Sequence, residues 1–263
     1  MINNKINADK SLGQHFIFDE NITDKIVEFA GDLSDYDIFE VGPGYGTLTK
    51  SILKKNDIKS LTTIEFDKKF DSVHQKMIDC KSKYKQIIFA DALYVDISNY
   101  TTNSKLKLIA NLPYNIAGLL LNKWLRQNIF TSMIIMVQLE FAERLVASHN
   151  NKKYGAMSIL AQNYYDIKFN LEVPPEAFTP PPKVKSAVIT LTKRKSPVNN
   201  IDYDKLSSFL SLFFMHRRKK INNFLQRTNS FYLAKYIDIN LRPENVDINT
   251  ILNMATDYYS TNS

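Results

Sequence analysis

One cysteine in 263 residues, Cys80, excludes a disulfide framework and a cysteine-based metal site. The four histidines, His15, His74, His149 and His216, are scattered without ligand spacing, so each is expected at the surface or in packing, and no metal is expected. No apolar run approaches the roughly 18 residues needed to cross a bilayer. The opening Met1-Ile2-Asn3-Asn4-Lys5 has neither the apolar core of a signal peptide nor the Arg-rich pattern of a transit peptide. A cytoplasmic protein without a membrane partner is the expectation. Glycine is scarce too, at seven residues, yet Gly42, Gly44 and Gly46 crowd into one short stretch.

What is present is a core and a charge cluster. A hydrophobic fraction of 44% with many aromatics is ample for folding, which argues against wholesale disorder. Between Lys193 and Arg227 there are nine Lys or Arg against Asp202 and Asp204, which equals the whole net charge of +7. A cluster of that density points to a polyanion, although a solvated helical face fits it as well.

Short apolar runs at Asp37–Val41, Ser60–Ile64, Gln86–Ala90, Leu106–Ala110 and Met133–Gln138 read as strands. Helical patterns at Thr47–Lys55, Lys68–Asp79, Gly118–Arg126 and Glu140–Ala147 alternate with them. That alternation predicts an α/β, Rossmann-like domain with a mostly parallel sheet. Two more strands, Ile167–Val173 and Ser186–Lys193, flank a proline-rich block over 174–182, and no helix joins them, so an antiparallel edge is expected. Lys193-Arg194-Lys195-Ser196-Pro197 reads as a linker. Beyond it come only helical patterns, at Tyr203–Met215, Arg218–Gln226, Phe231–Ile237 and Ile248–Tyr258. The expected division is a catalytic domain over 1–195 and a small all-helical domain over 196–263.

The glycine run Gly42-Pro43-Gly44-Tyr45-Gly46 follows the first of those strands, where an open α/β sheet binds its ligands. It lacks the final spacing of the dinucleotide fingerprint, which disfavours a pyrophosphate. Glu65 ends the second strand, where it can accept from both hydroxyls of a ribose. Asp91 ends the third, placed to accept from an adenine amine, and Asn111 ends the fourth. With no Walker sequence, this series fits S-adenosylmethionine better than NAD or ATP. Asn111-Leu112-Pro113-Tyr114 can address a specific problem, the weak nucleophilicity of an adenine amine. The Asn111 amide oxygen and the Leu112 carbonyl can accept its two N–H groups. Pro113 restricts the backbone between them, and Tyr114 offers a stacking face. Taken alone, the tetrapeptide also fits a strand running into a proline turn.

Over nearly its whole length the sequence resembles the ribosomal RNA adenine dimethyltransferases, nearest to those that dimethylate two adjacent adenosines in a hairpin near the 3′ end of 16S ribosomal RNA. The resemblance runs through Lys10-Ser11-Leu12-Gly13-Gln14-His15-Phe16, Glu40-Val41-Gly42-Pro43-Gly44 and Asn111-Leu112-Pro113-Tyr114-Asn115-Ile116. It continues through Leu171-Glu172-Val173-Pro174-Pro175, Ala177-Phe178-Thr179-Pro180-Pro181-Pro182-Lys183-Val184 and Arg217-Arg218-Lys219-Lys220. It implies cofactor contacts at His15, Ile17, Gly42, Glu65, Asp91 and Asn111, with Gly44 in the same loop. Family members often carry Asn at the position of His15 and Leu at that of Ile17, contacts that backbone can supply. It implies an enzyme with Asn111, Leu112, Pro113 and Tyr114 at the reacting base and Phe178 as the opposite face of a clamp. Arg217, Arg218, Lys219, Lys220 and Arg227 then become phosphate contacts to RNA. The implied substrate is 16S ribosomal RNA in a small subunit not yet mature, and the enzyme is expected to be a monomer. Three alternatives stay open: a large-subunit RNA methyltransferase conferring macrolide resistance, a non-catalytic assembly or transcription factor, and a DNA adenine methyltransferase.

Overall fold

The computed structural model describes residues 9, 13–55, 57–102 and 105–261. Lys10, Ser11 and Leu12, where the first matched motif begins, lie outside them. The chain forms two compact units, one of Met1–Ala142 with Lys168–Lys193, the other of Glu143–Ile167 with Arg194–Ser263. Beside the expected division at 195/196, the second unit thus also takes in residues 143–167.

The first unit opens with a two-residue strand β1 (Phe16–Ile17) and helix α1 (Glu20–Glu28), capped by Asp19 accepting from the Asn21 N–H. Strand β2 (Asp37–Val41), helix α2 (Thr47–Leu53), strand β3 (Ser60–Glu65), helix α3 (Asp71–Cys80) and strand β4 (Tyr84–Phe89) follow. Next come strand β5 (Leu106–Asn111), helix α4 (Ala117–Gln127), strand β6 (Ser132–Gln138) and helix α5 (Leu139–Val146). After helix α6 (Ala156–Tyr164) come strands β7 (Tyr165–Val173), β8 (Phe178–Thr179) and β9 (Ser186–Lys193). Seven strands lie in the order β4-β3-β2-β5-β6-β9-β7; the first five run parallel and β9 pairs antiparallel to β6. Strand β2 is buried along its whole length, as expected of a parallel strand covered on both faces.

The seven expected strands are present, with ends shifted by at most two residues. Four elements are additions to the expected set. Helix α1 buries only Thr23, Ile26 and Val27, a thin apolar stripe. Helix α6 is buried along most of its length and therefore shows little periodicity. Strands β1 and β8 form a ladder of their own, with Phe16 opposite Thr179 and Ile17 opposite Phe178.

The second unit holds α6, α7 (Tyr203–Phe214), α8 (Ile221–Thr228), a 3₁₀ segment Phe231–Tyr236 and α9 (Ile248–Thr261). Helix α8 begins three residues later than its pattern predicts, because Lys220 is extended (φ −64°, ψ 155°). An aromatic cluster fills this unit: Phe209 stacks on Phe213 at 5.7 Å, and Phe224 stands edge-on to Phe213 at 5.1 Å.

One buried cation braces the sheet of the first unit. Lys107 on β5 donates from Nζ to the carbonyls of Ala30 (2.7 Å) and Asp32 (2.5 Å), past the end of α1, and lies 4.4 Å from the Tyr36 ring centre. Lys107→Met leaves two carbonyls without their donor and should cost about 1–3 kcal/mol. Urea unfolding followed by the fluorescence of Trp124, the single tryptophan, measures it.

Candidate active site

A cavity of about 290 Å³ opens at the C-terminal ends of β2, β3 and β5. Strand β2 pairs with β3 on one side and β5 on the other, so this is where the strand order reverses. Between β2 and α2 the backbone is left-handed at Gly42 (φ +70°), Gly44 (φ +52°) and Gly46 (φ +78°), a region favouring glycine. A Cβ on Gly44 would stand 2.8 Å from the Phe16 ring, and one on Gly46 2.5 Å from Met77. The loop therefore needs glycine for conformation and for space.

Glu65, the last residue of β3, is buried, and each of its oxygens is fixed by one backbone donor. Gly44 N–H donates to Oε2 at 3.0 Å and Asp67 N–H to Oε1 at 2.9 Å. Burial pushes its carboxyl above the ordinary carboxylate value, while these amides pull the other way. Asp91 lines the same cavity and uses one oxygen to accept from the Leu93 N–H at 2.9 Å. Lys123, from α4, holds the chain after Asp91 by donating to the carbonyls of Ala92, Leu93 and Val95 at 3.0, 2.9 and 2.5 Å.

Asn111 ends β5 and its side chain is oriented. Its Nδ2 donates to the His15 carbonyl at 3.1 Å, which leaves Oδ1 as an acceptor. Leu112 is buried, and its N–H donates to the Met136 carbonyl at 3.0 Å, anchoring the turn to β6. Pro113, Tyr114, Gly42 and Ile17 complete this side of the lining. The Tyr114 hydroxyl bonds Ser186 on β9, and burial pushes its phenol pKa up.

The ring facing Tyr114 is that of His15, stacked at 5.6 Å with planes 26° apart. His15 Nδ1 lies 2.7 Å from the Pro180 carbonyl and so donates to it. Phe178 does not take the expected place opposite Tyr114: it is 2% exposed, belongs to the core with Ile17 and Val173, and meets His15 edge-on at 82°. The β1–β8 ladder explains this arrangement, because pairing Ile17 with Phe178 turns the Phe178 side chain inward.

In the second unit the five cations are not equivalent. Arg217 donates from Nε and Nη2 to Glu244 Oε2 (3.2 and 2.8 Å) and from Nη2 to the Lys152 carbonyl (2.5 Å). Lys220 donates to Asn240 Oδ1 at 3.1 Å, and Arg227 to the Leu212 carbonyl at 3.2 Å. Arg218 and Lys219 are exposed and their side chains make no such bond among the described residues. Within the described residues no group of three or more His, Cys, Asp or Glu could hold a metal, and no helix is long and apolar enough to cross a membrane.

Residues 5–258 match the protein family described as "Ribosomal RNA adenine dimethylase". A protein of Ehrlichia ruminantium (strain Gardel) named Ribosomal RNA small subunit methyltransferase A is 43% identical over 96% of this chain and 98% of its own. One of the same name from Anaplasma phagocytophilum (strain HZ) is 40% identical over 95% of this chain and 94% of its own. Among solved structures, a dimethyladenosine transferase from Plasmodium falciparum superposes with a TM-score of 0.81 at 22% identity, over 94% of this chain and 98% of that one. The 23S rRNA methyltransferase ErmE superposes with 0.71 at 21% identity, over 93% and 99%. At such identities these two structures speak for the fold alone.

Glu40, on β2, is a cavity residue to which the sequence assigns no role. It is 1% exposed and accepts from Thr49 Oγ1 at 2.7 Å. Burial pushes its carboxyl up to about 8, the Thr49 bond opposes this, and the charge of Glu65 adds to it. The folded value thus exceeds the unfolded value of 4.5, and between them the folded protein holds a proton that the unfolded chain has released. The stability carried by neutral Glu40 is complete below the unfolded value and is lost as pH rises through about 8. Glu40→Gln should gain on the parent protein progressively from pH 5 to pH 8, by at most a few kcal/mol, in thermal melts run as a pH series.

Proposed function

The chain belongs to the ribosomal RNA adenine dimethylase family, and from that premise we propose that it transfers methyl groups from S-adenosylmethionine to N6 of two adjacent adenosines near the 3′ end of 16S ribosomal RNA. The observation that carries this reading is the Asn111 amide in the cavity lining at the end of β5, whose Nδ2 is taken by the His15 carbonyl so that Oδ1 is left as an acceptor. Two acceptors, Asn111 Oδ1 and the Leu112 carbonyl, hold the two N–H groups of the amine. The lone pair then leaves conjugation with the ring and becomes available. Tyr114 supports the base once it has left its stack.

The cavity suits S-adenosylmethionine. Glu65 and Asp91 offer oxygen acceptors for a ribose and an adenine, and the left-handed Gly42 and Gly44 bring the backbone to the cavity lining between them. When bound, the cofactor supplies an electrophilic methyl on a sulfonium, which returns as a neutral thioether after transfer. The methylated amine sheds its proton readily, so the residues here need only position the amine and accept its hydrogens. The buried carboxylate of Glu65 also favours a cationic ligand.

Residues 1–195 act as the methyltransferase domain and 196–263 as the RNA-binding domain in this reading. Arg217, Arg218, Lys219, Lys220 and Arg227 contact phosphates, which positions RNA without reading its sequence. The substrate is ribosomal RNA in a partly assembled small subunit, and the enzyme works as a monomer in the cytoplasm.

Labelled S-adenosylmethionine offered with undermethylated small subunits, mature small subunits, large-subunit RNA and DNA tests the reading. N6,N6-dimethyladenosine should form on the undermethylated small subunit, and its absence there would overturn the proposal. Asn111→Ala should lower the transfer rate at least about 100-fold while the protein still unfolds cooperatively by Trp124 fluorescence, its midpoint lowered only by the loss of the bond to the His15 carbonyl. The pair Arg218→Ala and Lys219→Ala should weaken RNA binding and reduce the salt slope by about one for each phosphate left without its cation, with cofactor affinity unaltered.

A further inference from the structure

His74 takes no part in the chemistry just described, yet it is wholly buried on α3 beneath the glycine loop. One ring nitrogen, Nε2, lies 2.8 Å from the Gly44 carbonyl, and the other, Nδ1, lies 2.7 Å from the Tyr84 hydroxyl. That hydroxyl lies 2.6 Å from Thr63 Oγ1 on β3. The proton order follows by elimination. A carbonyl can only accept, so Nε2 carries the hydrogen. Burial pushes the His74 pKa down and favours the neutral ring, so Nδ1 accepts from Tyr84. The Tyr84 oxygen, having donated its own hydrogen, accepts from Thr63.

The same glycine is held from its other side, where Gly44 N–H donates to Glu65 at 3.0 Å. Both polar groups of a left-handed glycine are therefore fixed by buried side chains, one carried by α3 and one by the end of β3. Glycine otherwise has the most backbone freedom to lose. A loop already fixed before a ligand arrives binds it without the cost of ordering.

We propose that His74, held through Tyr84 by Thr63, is a positioning residue that sets the Gly44 peptide, and with it the Glu65 carboxylate, for binding the cofactor. This rests on reading the cavity as the S-adenosylmethionine site. His74 touches no reacting atom, so its effect falls on cofactor affinity more than on turnover.

The test uses the full chain and calorimetric titration with S-adenosylhomocysteine. Tyr84→Phe keeps the ring but removes the hydroxyl, freeing His74 to take the other tautomer and lose its donor to Gly44. His74→Phe removes that donor outright, whereas His74→Gln can keep an N–H toward Gly44 and an acceptor toward Tyr84. Affinity should fall about tenfold or more in His74→Phe and several-fold in Tyr84→Phe, and recover to within about threefold of the parent in His74→Gln. The KM for S-adenosylmethionine should rise in step, with kcat at saturation changing less and RNA affinity unaltered. If His74→Phe does not fold, Tyr84→Phe and Thr63→Val decide. Parent-like affinity in a folded Tyr84→Phe, or no recovery in His74→Gln, would overturn the positioning role. Failure of the parent protein to bind S-adenosylhomocysteine would instead remove the cofactor reading and this inference together.

Discussion

Parallel pairing sets Val41 beside Ile64, Glu65 beside Phe89 and Asn111 beside Met136. The placement of Glu65 and Asn111 in the cavity depends on that register. Because side chains alternate along a strand, a slip of one residue would turn Glu65 and Asn111 to the opposite face and bring their neighbours into the cavity. The register is secured by burial on both faces: β2, most of β3, and all of β5 up to Asn111 are buried. A hydrophobic requirement of the sheet thereby fixes the position of polar groups at its rim. The turn at Leu112, tied to Met136, carries the same order past the strand end.

Upon that frame the cavity adds a second constraint, the supply of backbone donors and acceptors to buried side chains. Glu65 is held by two amides, Asn111 by the His15 carbonyl, His74 by the Gly44 carbonyl, and Lys123 by three carbonyls. Each polar side chain is thereby oriented by main chain from another segment, and in a medium of low dielectric a misoriented group would be costly. Glu40 is the contrasting case. It accepts from the Thr49 hydroxyl, and its carboxyl is pushed up to about 8. Burial raises both carboxyls, and it is opposed by backbone N–H groups at Glu65 and by a side-chain hydroxyl at Glu40.

Much of this is legible in the sequence for a physical reason. Strands buried on both faces must be apolar, so β2, β5 and β6 are readable as runs, and three closely spaced glycines mark the one loop that needs them. Residues ending those strands follow directly. What stays hidden depends on contacts between distant segments. The β1–β8 ladder joins residues some 160 apart in sequence, and it is what turns Phe178 into the core and leaves His15 beside Tyr114. The His74–Tyr84–Thr63 series joins a helix and two strands by side chains alone, so nothing local marks His74 as more than a packing histidine. Helix α6 escapes a reading of the sequence because burial along most of its length removes the periodicity by which helices are recognised.

The basic run shows the same limit from the side of charge. In sequence Arg217, Arg218, Lys219, Lys220 and Arg227 form one cluster, but folding divides it. Arg217 bridges Glu244 and the Lys152 carbonyl, and so ties the turn after α7 to two other segments of its unit. Its removal would loosen that turn as well as subtract a charge, and a loss of polyanion affinity in Arg217→Ala would mix both causes. Arg227 stands similarly against the C-terminal end of α7, with a donor to Leu212. Arg218 and Lys219, exposed in that turn, lack such internal bonds among the described residues, so their positive charge is separable from the fold. Net charge marks a basic region of the sequence, but only the bonding of each cation tells which charge can be removed without disturbing the fold.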